Sequence, residues 1–325
     1  MQEFMAPLVD YSPEADLIVA DNGSTDASLG WLAQHYPQVR RLALGENLGY
    51  AGGYNCAITQ LKAQEERDGK APYSLYILLN NDIKVVQDWL PPIVTAFENN
   101  KDLVAAQPKI KDLSNLQHFE YAGAAGGYLD ALGYPFCRGR ILGILEEDHG
   151  QYDGSQDIFW ASGACLVLRA EAFARVDGFD ADLFAHQEEI DLCWRLQAQG
   201  GRVSCITDSS VYHKGGGTLK NADPRKTYLN FRNSLLVLIK NVAGSRIVVI
   251  VKFRLLLDGL AGLVFLLQGK PRHTWAIVRA HFGVYALLPK YLKKRKKWAN
   301  RLKYAHISSI LYARFLKNRR YFSQL

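Results

Sequence analysis

Two short apolar runs that stop abruptly in acid and amide side chains constrain this chain more than any other feature. LIVA (17–20) runs into DNGSTD, and LYILL (75–79) runs into NND. Strands that end this way set polar groups along one edge of a sheet. The surrounding pattern agrees: VRRLAL (39–44) reads as a further strand, and SLGWLAQHY (28–36) and YNCAITQLKAQEER (54–67) read as helices. Strand alternating with helix is the signature of a parallel sheet with crossover helices. Such sheets collect their ligands at the carboxyl ends of the strands, where both polar clusters fall.

A second strand-and-helix pattern follows. WASGACLVLR (160–169) leads through AEAFARV to the helix EEIDLCWRLQAQ (188–199), and the strands VSCI (203–206) and SSVYH (209–213) close it. Between the two patterns, residues 110–160 are rich in Gly, Tyr and acid and read as loops and short strands beside the site. After about residue 235 long apolar helices carry interspersed Lys and Arg, as in IVVIVKFRLLLDGLAGLVFLLQG.

With 325 residues, 48% hydrophobic and 22% charged, the chain can build one large domain plus an appendage. The five cysteines are scattered with no CxxC pair, which argues for reduced thiols and against a disulfide scaffold. The start, MQEFMAPLVD, lacks the basic-then-apolar pattern of a signal peptide. The net charge of +7 is uneven: from Lys290 onward every charged side chain is basic, including KKRKK at 293–297. Nucleic acid, an anionic membrane surface or solvent alone can each accommodate such a tail.

Four segments can carry chemistry. In LLNNDIKV, Asp82 at a strand tip can hold a hard divalent cation and through it a diphosphate, although Asn and Asp also simply favour turns. In HQEEIDLCWR, Glu188, Glu189 and Asp191 crowd the first turn of a helix. The helix dipole favours them there, but their mutual repulsion raises at least one pKa and makes a usable base. In SVYHKGGG, His213 can be a metal ligand or a hydrogen-bonded surface histidine, and the glycines after it let backbone approach a phosphate or move as a lid. GENLGYAGGYN (45–55) allows close approach of backbone and opens a helix toward phosphate, without the GxGxxG spacing of a dinucleotide fold.

The order of these segments is more telling than any one of them. DNGSTD, NLGYAGGYN, LLNNDI, SGACLVLR, GFD…EEIDLCWRLQAQG and VYHKGG closely resemble, in sequence, the family 2 glycosyltransferases, in particular their bacterial rhamnosyltransferase-like branch, over about residues 4–235. The resemblance implies an α/β GT-A fold, with a mostly parallel central sheet and flanking helices, and an inverting transfer from a nucleotide-diphospho-sugar donor. It implies that Asp21, Asn22, Asn47 and Gly49 bind the nucleotide sugar, together with Asn80 and Asn81 at the family's DxD position and Trp160, Gly163 and Ala164 beside sugar and acceptor. Asp82 and His213 would hold Mg²⁺ or Mn²⁺. Glu189 matches the family's base, a Glu where Asp is usual, with Glu188 and Asp191 as alternates. The acceptor would be a glycan or lipid-linked hydroxyl in cell-surface polysaccharide synthesis. A catalytically impaired remnant acting as a membrane-associated scaffold is the rival reading, and a nucleotidyltransferase a weaker one.

Family members begin with another strand, loop and helix, whereas EFMAPLVDYSPEADLIVADNGSTD matches only the end of that helix onward. A gap is therefore expected between the strands at 17–20 and 75–79. The expected organisation is a catalytic domain over 1–235 and a basic, amphipathic helical segment over 236–325. Lys252, Arg254 and Asp258 interrupt its most apolar stretch, and GLAGLVFLL is too short to span a bilayer. Peripheral attachment to an anionic membrane, on the cytoplasmic face of the inner membrane, is expected instead, and no nucleic-acid role.

Overall fold

The computed structural model describes residues 1–215 and 223–325. The sequence opens on helix α1 (Gln2–Asp10), strand β1 (Ile18–Asp21), α2 (Ser28–His35), β2 (Arg40–Ala43), α3 (Gly49–Arg67), β3 (Leu75–Leu79), β4 (Ile83–Val85) and α4 (Pro91–Asn99). β1 and β2 pair in parallel as a sheet of their own, with Ile18 opposite Arg40 and Asp21 opposite Ala43. Among the described residues no strand pairs with the other edge of β1, and β1 does not pair with β3. Leu8 of α1 packs into both the apolar cluster around Leu32 and Val39 and the one beneath β3 and β4, so the helix bridges the two sheets.

The larger sheet adds β5 (Leu103–Asp112), β10 (Gln156–Asp157), β11 (Cys165–Arg169) and β12 (Arg202–His213) in the order β10–β12–β5–β11–β3, with β4 on β12. Here the expected mostly parallel sheet needs correction. β12 runs parallel to β5, but β11 is antiparallel to both β5 and β3, and β4 and β10 are antiparallel to β12. The sheet is mixed because β11 inserts between β3 and β5. The two strands read at 203–206 and 209–213 are one strand, bent by a register shift between Ile206 and Ser210. The Gly-rich middle builds β6 (Gly127–Asp130), β7 (Pro135–Cys137), β8 (Arg140–Ile141) and β9 (Ile144–Leu145), a meander over one end of the sheet.

Helices α5 (Ala170–Arg175) and α6 (Glu188–Ala198) follow β11, and α7 (Pro224–Asn241), α8 (Arg246–Leu267) and α9 (Pro271–Trp298) follow β12. α7 begins at a cap: the Asp223 carboxylate accepts from Arg225 N at 2.8 Å, with Pro224 in the first turn. The expected boundary at 235/236 falls inside α7, whose residues Leu235–Ile239 join the same core as Trp194, Tyr291 and Trp298. The basic run of α9 is largely engaged within the chain. Lys290 and Lys294 pair with Asp182, Lys294 also with Asp180, and Lys297 with Asp177, while Arg295 donates to the carbonyls of Ile239, Val242 and Gly244. VDGFDAD (176–182) supplies these acids, so much of the charge expected to meet lipid is neutralised at home. The tail beyond residue 298 is not an amphipathic helix: β13 (Ala305–Ile307) pairs with β6, and Phe322 packs on Tyr128 with ring centres 5.2 Å apart.

Candidate active site

The β4–β12 register builds the first half of the site. Ile83 stands opposite His213, which carries the Asp82 side chain to the histidine across 131 positions of sequence. Asp82 Oδ1 lies 3.1 Å from His213 Nε2, and Lys214 N donates to the Asp82 carbonyl at 3.1 Å. Glu120 closes the other side, its Oε2 3.2 Å from His213 Nδ1. Burial works against a charged imidazole, but the two carboxylates outweigh it and push the His213 pKa up to about 9. Burial likewise raises Asp82, and the imidazolium more than offsets this and lowers it. Glu120 was not legible in sequence, because it lies in an aperiodic loop and only the fold brings it to His213. Gly216 and Gly217 of the triple-glycine segment lie outside the described residues.

Asn22 acts as a brace. Its Nδ2 donates to Gly49 O at 2.9 Å, and its Oδ1 accepts from Leu48 N at 2.9 Å. Asn47 Oδ1 accepts from Gly49 N at 2.9 Å. The helix after this loop starts at Gly49, five residues earlier than the sequence pattern indicates, and close neighbours leave no room there for a side chain at two of its glycines. Gly49 has φ +71° and a Cβ would sit 2.4 Å from Phe184 O, while a Cβ on Gly53 would meet Asn22 at 3.0 Å. Asp21 is half-buried beside this brace and accepts from Ser24 N at 3.3 Å.

The 160–164 segment is mostly internal. Trp160 is 3% exposed, and its indole N–H donates to Tyr128 O at 3.0 Å, so its ring is core rather than a wall of the sugar site as expected. Ala164 O accepts from Asn80 N at 3.0 Å, which ties β11 to the strand tip bearing Asn80, exposed Asn81 and Asp82. Gly163 O accepts from the Tyr50 hydroxyl at 2.7 Å. Tyr50 is a further group absent from the sequence reading. Burial first, then Tyr54, Glu188 and Glu189, lift its pKa well above normal.

α6 supplies the other half. Before it Phe184, His186 and Gln187 have φ of 65°, 69° and 73°, a conformation that costs non-glycine residues of order 1–3 kcal/mol each. Buried Asn233 holds this segment from α7, donating to the carbonyls of Leu183, Ala185 and His186 at 2.7–2.9 Å. The turn delivers Glu188 and Glu189 to the helix start, each with a buried Oε2 that has no hydrogen-bond partner. Burial pushes Glu189 up to about 7, against backbone N–H groups that favour its charge. Burial and then the Glu189 charge raise Glu188 well above the carboxylate range. One of the pair is therefore kept neutral and the other is poised near neutrality.

Asp191 has a different position. Its Oδ2 accepts from Lys240 and from Arg195, each at 2.8 Å, and its Oδ1 from Asn241 at 2.9 Å. Burial alone would raise it, but Arg195, Lys240 and Asn241 hold it well below the carboxylate range. Every oxygen is engaged, so the structure removes Asp191 from the alternates for a base and makes it an anchor between α6 and α7.

A poised carboxylate and a strand-tip acid–imidazole pair are thus brought to an α/β sheet, groups suited to proton transfer and to holding a cation. Comparison with known proteins specifies the class. The sequence profile described as "Glycosyl transferase family 2" matches residues 3–175, and "Glycosyl transferase family group 2" matches residues 145–322. The chain belongs to family 2 of the glycosyltransferases. It is 27% identical over 219 residues to an N-acetylglucosaminyl-diphospho-decaprenol L-rhamnosyltransferase of Mycobacterium tuberculosis, covering 66% of this chain and 71% of the relative. It is 26% identical over 197 residues to the rhamnosyltransferase WbbL of Escherichia coli, covering 61% and 72%. Among solved structures, GalNAc-T7 with UDP, GalNAc and Mn²⁺ matches at a TM-score of 0.54 and 13% identity, covering 73% of this chain and 44% of that one. The mannosyltransferase PcManGT of Pyrobaculum calidifontis with GDP-Man and Mn²⁺ matches at 0.50 and 14%, covering 98% and 82%. The fold is GT-A, and the protein is a glycosyltransferase whose relatives serve polysaccharide synthesis; the scaffold reading is not favoured.

Proposed function

We propose that the chain is an inverting glycosyltransferase that moves a sugar, with rhamnose the first to try, from a nucleotide-diphosphate donor to a hydroxyl of a lipid-linked glycan at a membrane surface. The observation that carries this reading is Glu189. Its unpartnered, buried oxygen and pKa of about 7 suit it to take the proton of an attacking hydroxyl. Attack from the face opposite the departing diphosphate inverts the anomeric carbon and needs no covalent intermediate. The M. tuberculosis and E. coli relatives support the choice of sugar, and the first of these names a lipid diphosphate acceptor. Turnover of a panel of nucleotide sugars with a lipid-linked acceptor tests the reading; no transfer from any donor would reject it.

The residues present fit a divalent cation. Among the described residues no cluster of three or more His, Cys, Asp and Glu could hold a metal ion unaided. Asp82 and His213 converge, however, and Glu120 faces the far nitrogen of the imidazole, as the orienting carboxylate of a ligating histidine does. Donor phosphate oxygens and water would complete the shell of a Mg²⁺ or Mn²⁺ ion. When bound, the ion offsets the negative charge of the leaving nucleoside diphosphate. Asp82→Ala should abolish Mn²⁺ binding, followed by electron paramagnetic resonance, and should cut turnover to the level reached in EDTA. Unchanged turnover in both conditions would reject the metal.

Residues 236–325 fit a membrane surface without crossing it; no helix among the described residues is long and apolar enough to span a bilayer. Arg254 and Asp258, which break the apolar run of α8 in sequence, both turn inward: Arg254 donates to Leu132 O and Ser234 Oγ, and Asp258 faces His281 at 3.2 Å. The outward face keeps Val249, Phe253, Leu256, Leu260, Leu263 and Leu267 exposed. Asp258 is the only acid between residues 246 and 298, so the exposed face offers cations and apolar groups alone. These features support peripheral attachment to a membrane surface, which we propose is the cytoplasmic face of the inner membrane. In liposome flotation the chain should float with anionic vesicles and be released by alkaline carbonate, and Phe253→Asp with Leu260→Asp should leave it in the soluble fraction. Flotation unaffected by the double substitution would put the contact elsewhere.

A further inference from the structure

We propose that the cleft between the first turns of α7 and α9 seats the phosphate groups of the lipid-linked acceptor, an inference that rests on the acceptor class proposed above. The cleft encloses about 630 Å³ and is lined by Arg225, Arg272 and Arg279 together with Tyr228 and Trp275. Among the described residues none of the three guanidinium groups pairs with a carboxylate. Asp223, the nearest acid in sequence, caps α7 by accepting from Arg225 N. Three like charges gathered around one hollow repel each other unless an anion sits among them. Guanidinium forks match phosphate oxygens two at a time, and the starts of two long helices add their positive ends.

The position of the cleft identifies the kind of phosphate. On one side Arg225 lies over the Phe184 ring at 5.0 Å, and Phe184 O accepts from Ala51 N at 3.2 Å next to the glycine loop. Phe184 belongs to the strained segment that delivers Glu189. On the other side Trp275, 60% exposed, begins an exposed apolar row that continues through Val278, Phe282 and Tyr285 on α9. A molecule with a sugar at one end, phosphates in the middle and an isoprenoid chain at the other matches that sequence of surfaces. Its sugar lies toward Glu189, its phosphates in the cleft and its chain along the aromatic row. A bilayer phospholipid would use the outer row but would have no reason to reach Arg225, which rests on Phe184 of the turn before α6.

The test uses the full chain with farnesyl diphosphate as a soluble isoprenyl diphosphate, its affinity measured by titration calorimetry. Arg272→Gln with Arg279→Gln, both at exposed positions, should weaken that binding about tenfold or more while leaving the affinity for UDP, GDP and dTDP unchanged. Equal farnesyl diphosphate affinity in the variant and the parent would overturn the proposal. So would inorganic pyrophosphate binding as tightly as farnesyl diphosphate, which would mark a plain anion patch. Loss of binding to phosphatidylglycerol vesicles, with farnesyl diphosphate unaffected, would assign the arginines to the bilayer and overturn it as well. A parent chain that binds no nucleoside diphosphate yet shows the tenfold effect would retain the cleft and remove the glycosyltransferase reading.

Discussion

Glu189→Gln is expected to lower turnover by about 10² or more with donor affinity nearly intact, because the amide keeps the shape of the side chain and removes its basicity. Glu188→Gln is expected to stay active, since burial and the neighbouring charge already keep Glu188 neutral. The pH profile checks the same assignment. With Glu189 near 7, acidification below neutrality protonates the base, so kcat/KM should fall as pH drops through about 7. That limb should persist in Glu188→Gln and disappear from the residual rate of Glu189→Gln. An inactive Glu188→Gln beside an active Glu189→Gln would move the base by one position.

Lys240→Met should cost about 3–5 kcal/mol of stability, read as a lower urea midpoint, with little change in the pH limb assigned to Glu189. Lys240 is 2% exposed and its ammonium sits 2.8 Å from both Asp180 and Asp191, so removing it leaves buried carboxylates short of a partner. The acid dependence follows with its sign. Asp191 is held below its ordinary pKa in the folded chain, so on acidification the unfolded chain takes up the proton first. The network's stability is thus present at neutral pH and lost as pH falls through and below the ordinary carboxylate range. A midpoint unchanged from the parent would show that Arg195 and Asn241 suffice without Lys240.

The strand tips were legible because apolar runs ending in Asn and Asp announce themselves locally, which drew attention to Asp82; Glu188 and Glu189 stood out by the crowding of carboxylates in one helical turn. His213 was found by its place at a strand end. Trp160 was misread because aromatic residues in a glycine-rich stretch look alike whether they face a ligand or, as here, the backbone of Tyr128. Asp191 was misread because its spacing puts it in the same helical turn as the glutamates, while its partners Lys240 and Asn241 lie about fifty positions away. Glu120, Tyr50 and the arginine cleft carry no local signal at all.

By itself the sequence determined the alternation of elements, the polar strand tips and the concentration of basic and apolar residues after 235, since each depends on neighbours within a few positions. The tertiary structure alone decided which charges are spent inside and which remain outside. Within KKRKK, Lys294 and Lys297 pair with Asp177, Asp180 and Asp182 and Arg295 is held by backbone carbonyls, and Arg254 and Asp258, which interrupt the apolar run in sequence, turn inward. Pairing of a charge depends on where distant segments meet, and a charge without a nearby partner in sequence finds one only when sheet register and helix packing bring it within a few ångströms.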